Sequence, residues 1–90
     1  MRDLLRSQPY RVVRAHLVGA RQRAGLTQQA LAARIGRPQS YISAVETGQQ
    51  RLDIVEFIHL VHALGLDPAE VMREVGRLYR LHHGRPPHDR

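Results

Sequence analysis

The run L-T-Q-Q-A-L-A-A-R-I-G from Leu26 to Gly36, continued by R-P-Q-S-Y-I-S-A-V-E-T-G from Arg37 to Gly48, decides how this chain folds. Thr27 is a capping residue, and it predicts a short helix from Gln28 to Ile35 with Leu31, Ala32 and Ile35 facing inward. Gly36 breaks that helix after barely two turns and can take the positive φ of a tight turn. Pro38 suits the first turn of a second helix, Gln39 to about Thr47, whose buried side is Ile42 and Val45 at i, i+3. Gly48 stops it, and small Ala32 lets the two helices approach closely. The residues left outside are polar: Gln28, Gln39, Ser40, Ser43 and Thr47. Their short or amide side chains both donate and accept, as reading base edges and gripping phosphates requires. Two short helices about a glycine turn make a helix-turn-helix.

Working outward, the same helical punctuation continues, and no stretch alternates with the period of two that strands need. A first helix is predicted from about Pro9 to Ala24, with Val13, Leu17 and Ala20 on one stripe and Gly25 at its end. Asp53 with Glu56 three residues on reads as a capping box. It opens a helix to Leu64 that should bury Ile54, Phe57 or Ile58, Val61 and Leu64. After Gly65, the run Asp67-Pro68-Ala69-Glu70 repeats the start signal for a fifth helix to about His82, with Val71 and Met72 completing the core. The fold class is therefore all-α: a compact five-helix domain over residues 9–82, an N-terminal arm at 1–8 and a mobile tail at 83–90. Val75, Leu78, Tyr79 and Leu81 carry an apolar stripe past that core, read here as a contact between two copies in preference to docking on the first helix or on Leu4 and Leu5.

Length and composition bound the function. Ninety residues leave room for one domain, and with 4% aromatic residues its core must be built from Leu, Val, Ile and Ala. Such a core stabilises a monomer only marginally, which favours a homodimer. The absence of cysteine excludes disulfides, thiolate zinc sites and cysteine nucleophiles. No Ser sits in a nucleophile elbow, no glycine-rich phosphate loop occurs and no paired acids mark a pocket, so no enzymatic role and no cofactor are expected. His59 and His62, at i, i+3, and the tail His82, His83 and His88 read as polar surface, not as metal ligands. No apolar run reaches a membrane span, so a soluble cytoplasmic protein without membrane association is expected.

The net charge of +6 is segregated: residues 1–52 carry +7, residues 53–72 carry −4, and residues 73–90 carry +3. Every cation among Lys and Arg is Arg, whose fork can bond two phosphate oxygens at once. The positive half is the half that carries the helix-turn-helix; the charge favours a polyanion partner, and the base-reading face of that motif makes double-stranded DNA the expected one.

From Leu17 to Met72 the sequence resembles the Xre family, the lambda-repressor-like (Cro-type) helix-turn-helix domains. The runs A-R-Q-R-A-G-L-T-Q-Q-A-L-A-A-R-I-G (Ala20–Gly36), Q-S-Y-I-S-A-V-E-T-G (Gln39–Gly48) and A-L-G-L-D-P-A-E-V-M (Ala63–Met72) carry the likeness. It implies that the third helix enters the major groove. On that resemblance Gln39, Ser40, Ser43 and Ala44 are the base-reading positions, Gln39 facing adenine most naturally. Gln28, Tyr41, Thr47, the Gln49 N–H and Arg51 are the phosphate contacts, with Gln28 also bracing Gln39, and Arg21 and Glu46 form a buried structural ion pair. Two positions depart from the family pattern: Ala44 stands where many relatives carry a longer polar side chain, and Pro38 where they prefer a Ser or Thr cap. The expected function is a sequence-specific transcriptional regulator, most simply a repressor, acting as a homodimer on a palindromic operator. The alternative is an antitoxin or adaptor that binds a protein partner and DNA only secondarily.

Overall fold

A computed structural model of the chain describes residues 8–83, and every regular element in that span is an α-helix. The helices are α1 (Gln8–Arg23), α2 (Gln28–Arg34), α3 (Gln39–Thr47), α4 (Ile54–Ala63) and α5 (Pro68–His83). All five expected helices are present, with ends within a residue or two of the sequence reading. Most of the expected arm and tail, with Leu4, Leu5 and His88, lies outside the described residues.

The helix ends follow the local chemistry. Thr27 Oγ1 accepts the Ala30 N–H at 3.0 Å and caps α2. At the start of α4, Asp53 Oδ1 accepts the Glu56 N–H at 2.7 Å while Glu56 Oε1 accepts the Asp53 N–H at 3.0 Å, so the capping box closes both ways. Pro38 differs from its expected place. It is the N-cap of α3, in extended backbone with no side-chain cap, rather than a residue of the first turn. At the other end Gly48 takes φ +84°, and an added Cβ there would lie 2.6 Å from the Arg14 guanidinium. This C-cap therefore needs glycine for its left-handed conformation, whereas the flexible end of Arg14 can shift to make room.

The core draws on every helix: Leu17 and Ala20 (α1), Leu31 and Ala32 (α2), Ile42 and Val45 (α3), Phe57, Leu60, Val61 and Leu64 at the α4 face, and Val71 and Val75 (α5). Phe57, one of the two alternatives on α4, fills the core, while Ile58 is exposed. Two assignments on α4 and α5 need correction: Ile54 is 61% exposed, and Met72 is 42% exposed. Ile54 has the right azimuth, three residues before Phe57, but it sits in the first turn of α4 beyond the reach of a covering element. It and Met72 instead line an open apolar groove with Tyr10, Val13 and Leu52.

The last helix packs most extensively on α1, so docking within the monomer accounts for part of its apolar surface. Val75 belongs to the monomer core and so is not free for the expected dimer contact, while Leu78 is half-buried. Tyr79 and Leu81 are exposed, but two residues on a helix turn about 200° around its axis, so they do not share a face. The expected four-residue stripe is thus split.

Candidate nucleic-acid interface

The α2–α3 pair presents the polar face that its sequence requires. With Ile42 and Val45 turned into the core, Gln39 and Ser40 stand exposed at the N-terminus of α3, and Ser43 and Ala44 are half-exposed one turn on. Behind this face lies a hydrogen-bonded chain. Arg21 donates to Glu46 from Nε (2.7 Å, to Oε2) and Nη2 (3.1 Å, to Oε1), a bidentate pair linking α1 to α3. Its side chains are 11% and 10% exposed, so the pair is nearly withdrawn from water. Arg21 Nη1 also donates to the Leu26 carbonyl at 2.7 Å and thereby pins the α1–α2 turn. Gln28 Nε2 donates to Glu46 Oε1 at 2.9 Å, and Gln39 Nε2 donates to Gln28 Oε1 at 2.6 Å. The expected ion pair and the expected brace are thus one network. The Gln28–Glu46 link that joins them has no local sequence signal, because its partners are 18 residues apart.

The expected phosphate residues fare unevenly. Arg51 is exposed on the loop after α3; its carbonyl accepts from Gln50 Nε2 at 3.0 Å, and its guanidinium has no hydrogen bond or ion pair among the described residues. Thr47 is exposed, and its hydroxyl donates back to the Ser43 carbonyl at 2.9 Å. The Gln49 N–H, expected to face a phosphate, donates to the Ala44 carbonyl at 2.8 Å and so belongs to the C-cap of α3. Tyr41 lies with its ring under Arg37, whose guanidinium carbon is 4.1 Å from the ring centroid. Burial, then the neighbouring Glu56 carboxylate, raise the Tyr41 pKa above its ordinary value of 10.0, so the phenol keeps its proton at neutral pH. The neighbouring Glu56 carboxylate disfavours the expected phosphate contact at this hydroxyl.

Part of the positive charge is engaged within the protein. Arg34 Nη1 donates to the Ala63 carbonyl at 2.8 Å, at the negative end of α4. Arg37 Nη2 pairs with Glu56 Oε2 at 3.1 Å, which ties the α2–α3 turn to the capping box of α4. Sequence reasoning also missed two residues of α1 that hold the loop after α3. Arg14 lies over Gly48, and Tyr10 Oη accepts the Leu52 N–H at 3.4 Å. Nothing in the local sequence announces a contact across some forty residues. Among the described residues no helix is long and apolar enough to cross a membrane.

With this geometry in view, the comparisons with known proteins are consistent. A family model described as "Helix-turn-helix domain" matches residues 13–73. Among solved structures, an "XRE-family like protein from Pseudomonas syringae pv. tomato str. DC3000" is 38% identical, with a TM-score of 0.74. The alignment covers 78% of this chain and 85% of that one. No curated protein matches.

Proposed function

The chain belongs to the Xre-type helix-turn-helix family, and from that premise we propose that it is a sequence-specific transcriptional regulator that binds a palindromic operator as a homodimer and represses transcription by occupying it. The helix-turn-helix of this family is a DNA-binding fold and not an enzyme scaffold. The observation that carries the finer reading is the braced Gln39 at the exposed N-terminus of α3, beside Ser40 and Ser43. A side chain held at that point before DNA arrives loses little freedom on contacting a base edge. Arg51 supplies a phosphate contact beside it, and Gln28 offers the second N–H of its amide to another.

Pairing of two copies sets two recognition helices about 34 Å apart, one turn of DNA. The surface assigned to it is Met72 and Tyr79, one face of α5 at i, i+7, continued across the groove to Ile54. Repression then follows from occupancy, and a promoter overlapping the operator should yield less transcript as the protein is added.

Two measurements test this reading. Mass measurement of the complex on an operator duplex should give two chains per duplex, and Met72→Glu should raise the dimer dissociation constant at least tenfold. One chain per duplex contradicts the homodimer, and an unchanged constant contradicts this surface. Arg51→Ala should weaken binding about equally on all sequences and reduce the slope of log K against log salt by about one unit. A loss confined to one base-pair position would instead make Arg51 a base reader.

A further inference from the structure

We infer that Glu46 is a positioning residue that sets, through Gln28, which way round the Gln39 amide faces DNA. This rests on the reading that Gln39 contacts a base. A glutamine amide presents an acceptor on one side and two donors on the other, and its terminal torsion is broad, so an unanchored one offers either side. Here the order is forced by donor and acceptor chemistry. The Glu46 carboxylate, gripped by Arg21, only accepts. The group of Gln28 that meets it must be the NH2, which leaves Gln28 Oε1 toward α3. The group of Gln39 that meets Gln28 Oε1 must again be NH2. One N–H of Gln39 is thereby consumed, and its Oε1 with the remaining N–H is left for the groove.

An acceptor beside a donor complements the adenine edge, N6–H2 beside N7, whereas guanine presents two acceptors, O6 and N7, and meets Oε1 with repulsion. The polarity that begins at the Arg21–Glu46 pair thus favours adenine over guanine at that position.

The test measures competition binding of the full-length protein on operator duplexes that vary one base pair at a time. Gln39→Ala first locates the base pair that Gln39 reads. Gln28→Met leaves the Arg21–Glu46 pair in place but removes the anchor, and the preference for A·T over G·C there should fall about tenfold. Glu46→Gln should go further. Arg21 still needs the acceptor Oε1, so the new NH2 turns to Gln28, Gln28 turns its own NH2 to Gln39, and Gln39 turns two donors to the groove. The preference should move toward guanine. If Gln39→Ala alters one position while Gln28→Met and Glu46→Gln leave it at the wild-type preference, Glu46 has no such role. If Gln39→Ala alters no position, the base-reading assignment itself fails. Should Glu46→Gln not fold, Gln28→Met decides: an unchanged preference at the position that Gln39 reads overturns the role of Glu46, and a fall of about tenfold supports it.

Discussion

Arg21→Met is expected to destabilise the domain by about 3 to 5 kcal/mol, the cost of stranding one member of a nearly buried ion pair. The Glu46 carboxylate would keep only the Gln28 amide as a donor, and the Leu26 carbonyl would lose its guanidinium partner. A small domain is stabilised by about 5 to 15 kcal/mol in total, so this single change removes a large share. Urea unfolding at neutral pH measures it. Changing Glu46 to Met in the same chain should recover part of the loss, because no lone charge then remains buried. The double-mutant cycle separates the pair from the packing of the two stems. A loss below about 1 kcal/mol for Arg21→Met would place the pair among solvated surface bridges.

The second large effect is Ile42→Ala. Ile42 is 1% exposed and belongs to the cluster that joins the recognition helix to α1, α2 and α4. Truncation removes three buried carbons and leaves a cavity that a domain of short helices fills poorly. The expected loss is about 2 to 5 kcal/mol, against about 0.5 to 1.5 kcal/mol for Ile42→Val. Ile54→Ala is the natural control, since Ile54 is exposed and surface changes fall within about 0.5 kcal/mol. Thermal unfolding of the monomeric form at one protein concentration ranks the three. If Ile54→Ala cost as much as Ile42→Ala, the groove between α4 and α5 would be closed.

That contrast shows where the sequence was legible. Helix ends were, because Thr27, Gly48 and the Asp53–Glu56 box act on their own neighbours. The azimuth of Ile54 was also legible, but its burial was not: which neighbour extends far enough to cover it depends on packing between α1, α4 and α5. The same limit governs α5, where Val75, Leu78, Tyr79 and Leu81 read as one apolar stripe although helical geometry sends Tyr79 and Leu81 to different sides.

At the site, the residue types and the Arg21–Glu46 pair were recoverable through the family resemblance. The commitment of Arg34 to the end of α4 and of Arg37 to Glu56 was not. Each is an ordinary positive charge until the fold brings its partner from 29 and 19 residues away. Segregated charge therefore overstated how many of these exposed cations are without a partner inside the protein. Arg51 and the braced glutamines matter more to the proposed interface than the net charge does.

Sequence-specific recognition by paired recognition helices is the central claim, and selection of bound duplexes from a random DNA pool by the full-length protein tests it most directly. The expected product is an inverted repeat whose half-sites lie about 10 base pairs apart, centre to centre. A pool that enriches no sequence, bound with equal and weak affinity throughout, would contradict it.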